Sequence, residues 1–116
     1  MKEYLWEMTV SDIEIGPQEL KQKLDQGAKL LVIDCREDWE HKIGAIEGAK
    51  LVPLNTLPAN MELFQQADEI VIYCHHGMRS LNAAAWLRSQ GVDGARSLAG
   101  GIERWSMEID PRVARY

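Results

Sequence analysis

The clearest structural signals in the chain lie in one stretch, Ile70-Val71-Ile72-Tyr73-Cys74-His75-His76-Gly77-Met78-Arg79-Ser80. Its first four residues are β-branched or aromatic, and they predict a buried strand that ends at Tyr73. A short polar loop follows, and the helical spacing of apolar residues begins at Leu81. Cys74 is therefore expected between a strand and a helix N-terminus, where unpaired N–H groups and the helix dipole stabilise a thiolate.

The loop after this cysteine has the composition of an anion-binding loop. Gly77 permits a positive φ angle, so the loop can curl tightly and point successive N–H groups into a small bowl. Arg79 adds a permanent positive charge, and His75 and His76 favour a thiolate if they are charged or donate hydrogen bonds. Taken singly, these residue types are more often core or solvated surface. Their combination in this order predicts that Cys74 is a nucleophile in an anion-binding loop.

Helix and strand signals alternate along the rest of the chain. Strands are predicted at residues 11–15, 30–34, 50–53, 70–73 and 96–98, and helices at residues 17–27, 61–64, 79–91 and 102–107. Glu37-Asp38 is predicted to be a solvated turn. This order predicts an α/β fold with a mainly parallel central sheet and helices on both faces. In such sheets ligands bind beyond the carboxyl ends of the strands, where Cys35 and Cys74 are both expected.

The length, charge and cysteine count argue against several classes of protein. The chain has 116 residues, a net charge of −5 and two cysteines. This length predicts one domain, at residues 11–116, preceded by an arm at residues 1–10. The acidic balance argues against nucleic acid as a partner, although residues 71–116 carry a local charge of +2. Two cysteines are too few for a disulfide scaffold, and no signal-peptide or membrane-spanning run is visible. We expect a soluble cytoplasmic domain with reduced thiols, no membrane partner, no metal site and no cofactor.

Several further stretches resemble the rhodanese family of sulfurtransferases. Residues 34–40, Asp-Cys-Arg-Glu-Asp-Trp-Glu, resemble its Asp-x-Arg-x-x-x-Glu region. Residues 43–49 resemble its Gly-His-Ile-x-Gly-Ala segment, with Ala45 in place of the histidine, and residues 98–101 with Trp105 resemble its C-terminal signature. Residues 109–116 are similar to rhodanese domains fused behind E1-like enzymes that activate sulfur carriers. The resemblance extends over nearly the whole chain and implies the rhodanese fold.

The resemblance also implies a role for each site residue. Cys74 would accept a sulfane sulfur as a persulfide, and Arg79 would bind an anionic donor such as thiosulfate or orient the persulfide. Asp34 and Arg36 would support the site from the neighbouring strand end. The expected loop residues around the persulfide are His75, His76, Gly77, Met78, Arg79 and Ser80. The implied partners are a small donor, thiosulfate or a persulfide, and an acceptor that is a thiol, cyanide or a sulfur-carrier protein.

Two other functions remain as alternatives at this stage. Rhodanese-fold phosphatases and arsenate reductases have one more residue between the cysteine and the arginine, and the longer loop fits a tetrahedral oxyanion. Here four residues separate Cys74 from Arg79, which favours a single sulfur atom. Other rhodanese folds only bind partners and some lack the cysteine. The presence of Cys74, Gly77 and Arg79 together argues against such a module.

Cys35 has two interpretations. It stands where most rhodanese domains have an apolar residue, so it can be a small core side chain. It also stands where rhodanese-fold cell-cycle phosphatases keep a second cysteine, so it can form a reversible disulfide with Cys74. A Cα separation well beyond about 7 Å would exclude the disulfide without backbone movement.

Overall fold

Five strands and five α-helices alternate in residues 12–116, the part of the chain that the computed structural model describes. The predicted arm at residues 1–10 lies outside the described residues. The strands are β1 (Glu14–Ile15), β2 (Leu31–Asp34), β3 (Lys50–Leu51), β4 (Ile70–Tyr73) and β5 (Ala95–Leu98). The helices are α1 (Pro17–Asp25), α2 (Asp38–Ile43), α3 (Met61–Gln65), α4 (Met78–Ser89) and α5 (Gly101–Glu108), with a 3₁₀ helix at Leu54–Asn60.

The strands form one sheet in the order β1-β5-β4-β2-β3, and every neighbouring pair is parallel. β4 lies at the centre, where Ile70 is opposite Leu31 of β2 and Ala95 of β5. All four residues of β4 are buried, as the uninterrupted apolar run predicts for a strand covered on both faces. The α/β class and the parallel sheet are therefore confirmed.

Helices cover both faces of this sheet. On one face Ile72 packs with Phe64 of α3 and Leu87 of α4. On the other face Val71 and Tyr73 pack with side chains of α1 and α5. Successive residues of β4 thus enter opposite cores, as the two-residue period of a strand requires. No helix within residues 12–116 is long and apolar enough to span a membrane.

The prediction of a solvated turn at Glu37-Asp38 is wrong. Helix α2 begins there, and the side chains of Glu37 and Glu40 form a capping box that satisfies backbone N–H groups in its first turn. The helix has six residues, too few for its apolar spacing to stand out in the sequence. Its acidic first turn is favoured by the helix dipole, and Glu40 is nearly buried.

Candidate active site

Cys74 lies directly after β4, fully buried at the carboxyl edge of the sheet. Its Sγ accepts hydrogen bonds from the backbone N–H of Gly77 at 3.1 Å and from that of Ser80 at 3.4 Å. The Ser80 hydroxyl lies 3.4 Å from the same sulfur. Helix α4 begins at Met78, close to the predicted start around Arg79-Ser80, so its first turn faces the sulfur. Two backbone N–H groups thus point at one sulfur atom, and a hydroxyl group lies beside it.

These contacts lower the pKa of Cys74 to about 4. The largest cause is the neighbouring thiol of Cys35, which donates to the Cys74 sulfur, and burial opposes the shift. The Ser80 hydroxyl and the N–H groups of Ser80 and Gly77 lower the pKa further. The Cys35 pKa moves upward, because this thiol donates to Cys74 and is itself buried. Cys74 is therefore the thiolate of the pair at neutral pH.

A second buried hydroxyl, that of Ser97, stands behind Ser80. The two Oγ atoms are 2.7 Å apart, and the carbonyl of Gly77 lies 3.2 Å from Ser80 Oγ and 3.5 Å from Ser97 Oγ. When Ser97 donates to Ser80, the single hydrogen of Ser80 is free to point at the Cys74 sulfur. Sequence reasoning missed Ser97. The available signal was a serine inside the otherwise buried strand β5.

The backbone of the loop is held by the start of α5. The N–H of Ile102 donates to the carbonyl of Cys74 at 2.9 Å, and the N–H of Glu103 donates to that of His75 at 3.1 Å. Gly101 makes this approach feasible, because a Cβ there would lie 2.4 Å from the His75 oxygen. Gly77 itself has φ +107, the left-handed conformation expected for the tight curl of the loop. The C-terminal glycines therefore position the cysteine loop.

Arg79 is engaged in an ion pair. Its two terminal nitrogens donate to both carboxylate oxygens of Glu40, at 2.8 and 2.9 Å. Glu40 also accepts hydrogen bonds from the Tyr116 hydroxyl and the Glu37 backbone. The Arg79 hydrogen bonds hold the Glu40 pKa down to about 2. The expected free guanidinium for an anionic donor is thus partnered inside the protein. Glu40 and Tyr116 are site residues that sequence reasoning missed.

Asp34 and Arg36 form a buried support beside the cysteines. Arg36 donates through Nε and Nη2 to the two oxygens of Asp34, at 2.9 and 2.7 Å, and also to the carbonyl of Gly44. Its third nitrogen donates to the Tyr116 hydroxyl at 2.9 Å. His41 completes the pattern with a 2.7 Å contact to Asp34. This network joins the end of β2 to the residues after α2 and to the tail.

Aromatic and apolar side chains form the rim of the site. The rings of His75 and Tyr116 stack with centroids 3.8 Å apart, and His76 stacks on the other side of His75 at 3.9 Å. Trp39 contacts Tyr116 edge to face, and Met78 is 69% exposed. Burial and then the neighbouring His76 lower the His75 pKa, so this ring is neutral near pH 7. The idea that a charged His75 favours the thiolate is therefore not supported.

The cysteines of this site have no metal-binding neighbourhood. Among residues 12–116, no three His, Cys, Asp or Glu side chains are close enough together to hold a metal ion. Both Cys35 and Cys74 are free thiols.

The sequence is similar to those of known proteins. The chain is 36% identical over 104 residues to the probable adenylyltransferase/sulfurtransferase MoeZ of Mycobacterium tuberculosis, covering 88% of this chain and 26% of that protein. It is 35% identical over 101 residues to a sulfurtransferase of Allochromatium vinosum, covering 87% of this chain and 94% of that one. It thus spans about a quarter of the mycobacterial relative and nearly all of the other.

The solved structures and the family profile agree with these relatives. The human single-domain sulfurtransferase TSTD1 superposes with a TM-score of 0.69 at 30% identity, covering 84% of this chain and 96% of that one. The profile of the rhodanese-like domain matches residues 16–108, from the start of α1 to the end of α5. With the parallel sheet and the cysteine loop between β4 and α4, these matches establish that the chain belongs to the rhodanese-like domain family.

Proposed function

We propose that this protein transfers a sulfane sulfur from a donor to a thiophilic acceptor through a persulfide on Cys74. The observation that carries the proposal is the convergence of the Gly77 and Ser80 N–H groups and the Ser80 hydroxyl on Sγ. These donors favour the thiolate, which is the nucleophilic form of cysteine. They also remain in place after transfer, when a negative charge must be held near the same position.

In the first half-reaction the Cys74 thiolate attacks the outer sulfur of the donor. A bond forms between Cys74 Sγ and that sulfur, and the donor's own sulfur–sulfur bond breaks. If the donor is thiosulfate, sulfite leaves with the electron pair and the negative charge of the cysteine moves to the outer sulfur. The first turn of α4 leaves the N–H groups of Met78 and Arg79 without intrahelical acceptors, so they can bind this charged sulfur.

In the second half-reaction an acceptor attacks the outer sulfur. Cyanide or a thiolate, including a thiolate of a sulfur-carrier protein, supplies the nucleophile, and Cys74 departs as a thiolate. A low pKa makes Cys74 a good leaving group, so the donors that activate the nucleophile also assist its release. Because Cys74 is fully buried, both reactants reach Sγ only when neighbouring groups move aside.

The same geometry argues against the two alternative functions. A phosphatase of this fold is expected to have one more residue between the cysteine and the arginine than the four that separate Cys74 from Arg79 here. A module that only binds partners has no need of a buried thiolate with a pKa near 4. Sulfur transfer accounts for both the activated cysteine and the small loop.

Mass spectrometry after exposure to a sulfur donor tests the proposal. Thiosulfate should add one sulfur atom to Cys74 of the wild type, and cyanide should remove it as thiocyanate. The Cys74→Ser variant should fold and melt like the wild type but gain no sulfur, whereas Cys35→Ser should still be loaded. Transfer retained by Cys74→Ser, or clear hydrolysis of an aryl phosphate without any sulfur loading, would overturn the proposal.

A further inference from the structure

The hydroxyl group of Tyr116 joins the two ion pairs beside the cysteines. It donates a hydrogen bond to Oε2 of Glu40 and accepts one from Nη1 of Arg36 at 2.9 Å. Glu40 is the partner of Arg79, and Arg36 is the partner of Asp34. Because each bond of this hydroxyl involves a charged group, both bonds are stronger than those between neutral groups. One hydroxyl therefore ties together two pairs that come from different parts of the chain.

The ion pair with Glu40 leaves part of the Arg79 guanidinium available. A guanidinium has five N–H donors, and each terminal nitrogen of Arg79 uses one of them on an oxygen of Glu40. Within residues 12–116 the other donors have no partner, and the side chain is 37% exposed. The fork is planar and its two bonds are bidentate, so the position of the carboxylate fixes the direction of the remaining donors. After the hydrogen bonds of Glu40, the charge of Cys74 also raises the Arg79 pKa, so the guanidinium lies within electrostatic range of the sulfur.

Tyr116 is the donor that holds Oε2 of Glu40 independently of Arg79. The other oxygen, Oε1, accepts a hydrogen bond from the backbone N–H of Glu37, whereas Oε2 accepts from the Tyr116 hydroxyl and from Arg79. Without the hydroxyl, the carboxylate could turn about its last bond and the guanidinium would turn with it. The fully buried Arg36 would also lose the acceptor of its Nη1. The orientation of Arg79 therefore depends on a residue that does not contact it.

The hydroxyl of Tyr116 has a defined position because its ring is held on two sides. The ring stacks on that of His75 with centroids 3.8 Å apart, and Trp39 of α2 contacts it edge to face. The preceding residue, Arg115, donates to the two oxygens of Glu103 in α5, at 2.8 and 3.2 Å. The segment that carries Tyr116 is thus fastened to α2, to the cysteine loop and to α5. Such a support can hold a hydroxyl at one angle.

We propose that Tyr116 is a positioning residue for the donor half-reaction, a role that rests on the proposed sulfur transfer. Its hydroxyl holds Glu40, and Glu40 holds the Arg79 guanidinium so that the remaining N–H groups bind the oxygens of an anionic donor. Tyr116 itself touches neither the donor nor the reacting sulfur. Its contribution is the angle at which the charged fork meets the oxygens while Cys74 attacks the outer sulfur.

Steady-state kinetics of thiocyanate formation from thiosulfate and cyanide test this role. Because the two half-reactions are separate, kcat/KM for thiosulfate reports the loading of Cys74 and kcat/KM for cyanide reports its discharge. Tyr116→Phe keeps the ring and removes only the hydroxyl, so it should lower kcat/KM for thiosulfate about fivefold, the equivalent of one hydrogen bond. The value for cyanide, which has no oxygens for Arg79 to bind, should be nearly unchanged. Equal changes in both values, or no change in either, would overturn the proposal.

Tyr73→Phe is the matched control for the loss of a hydroxyl. The Tyr73 hydroxyl belongs to the same network, because it donates to Asp34 at 3.2 Å and accepts from the N–H of Ile46 at 3.1 Å, but it does not bind Glu40. This variant should lower the melting temperature and leave the ratio of the two kcat/KM values unchanged. A change in that ratio as large as in Tyr116→Phe would reveal a general effect of the network and contradict the specific role of Tyr116.

Alkylation of Cys74 provides a readout that needs no sulfur transfer. Iodoacetate is an anion and iodoacetamide is its neutral counterpart, so the ratio of their rates reports anion binding beside the sulfur. Tyr116→Phe should lower this ratio about threefold in the wild type and leave it unchanged in Arg79→Met, because the effect passes through Arg79. An equal loss in both backgrounds would overturn the proposal, and the kinetic comparison decides if Arg79→Met does not fold. If the wild type forms no thiocyanate, the proposed function fails and this ratio still decides whether Tyr116 positions Arg79.

Discussion

Cys35 and Cys74 end neighbouring parallel strands, and the N–H of Cys35 donates to the carbonyl of Tyr73 at 3.0 Å. The register that pairs Asp34 with Tyr73 therefore puts the two cysteines opposite each other. Both side chains enter the same core cluster. Neighbouring strands are about 4.8 Å apart, which lies within the Cα range that a disulfide spans, roughly 4.4–6.8 Å. This strand spacing does not exclude a disulfide between Cys35 and Cys74.

Oxidation of the wild type is expected to join these two residues. One equivalent of hydrogen peroxide should oxidise the Cys74 thiolate to a sulfenic acid with release of water, and the Cys35 thiol should then displace a second water and close the disulfide. Peptide mapping should find the Cys35–Cys74 bond, and dithiothreitol should restore sulfur loading. Cys35→Ser should instead proceed to irreversible oxidation of Cys74. If the oxidised wild type keeps two separate cysteines, Cys35 is only a core residue.

The pKa of Cys74 predicts a wide pH range of reactivity. Iodoacetamide should alkylate Cys74 at a nearly constant rate from about pH 8 down to pH 5, and the rate should fall by half near pH 4. The alkylation rate falls only at low pH, because the lowered pKa keeps Cys74 as a thiolate until the pH drops below that value. Cys74→Ser supplies the background, and circular dichroism checks that the protein is folded at each pH. A midpoint near the ordinary cysteine value of about 8.5 would contradict the described network.

Ser97 is expected to act on Cys74 through Ser80. In Ser97→Ala, Ser80 loses the hydrogen bond from Ser97 that leaves its own hydrogen free to point at Cys74. The Cys74 pKa should therefore rise by about half to one unit, the equivalent of one hydrogen bond. The readout is the pH profile of alkylation. Ser106→Ala is the matched control, because Ser106 is also buried but donates to the Val113 carbonyl. If both variants leave the profile unchanged, Ser97 is only a structural residue.

Removing Arg79 should lower stability as well as change the loop. Arg79→Met leaves the nearly buried Glu40 carboxylate without its cation. We expect the free energy of unfolding to fall by about 2 kcal/mol. This loss is smaller than the usual cost of breaking a buried pair, because Arg79 is partly exposed. The double variant Arg79→Met/Glu40→Gln should recover part of this lost free energy of unfolding, which urea unfolding measures. The Glu40 pKa is lowered, so the contribution of the pair is present above about pH 4.5 and is lost as pH falls toward 2. Equal stability of wild type and Arg79→Met would refute this account.

Gly101 is expected to tolerate no side chain. A Cβ there would lie 2.4 Å from the His75 oxygen and 2.6 Å from the Cys74 oxygen, at φ +63. Gly101→Ala should therefore cost roughly 2–3 kcal/mol and raise the Cys74 pKa by displacing the loop. Gly91→Ala is the control, because Gly91 also has a positive φ but has open space around it. It should cost about 1 kcal/mol and leave the alkylation profile alone. Similar effects of the two variants would show that only backbone strain matters.

The sequence by itself predicted the elements whose signals are local. The β-branched run of β4 and the apolar run of β2 require burial on both faces, and that requirement alone implies a parallel sheet between helix layers. Helix α2 escaped prediction because six residues carry too little periodicity and its acidic first turn has the composition of a loop. Its presence became clear only from the capping box of Glu37 and Glu40.

The candidate site could likewise be predicted from the sequence only where its residues are close together in the chain. The cysteine, the glycine and the helix start are contiguous, so chain order alone was enough to predict that N–H groups would surround Cys74. The partners of that loop are distant in sequence: Ser97 comes from β5, Glu40 from α2 and Tyr116 from the tail. Which of them meets the loop depends on strand order and helix packing. For this reason the sequence predicted an activated cysteine, whereas only the tertiary structure decided that Arg79 is neutralised and that Cys35 lies beside Cys74.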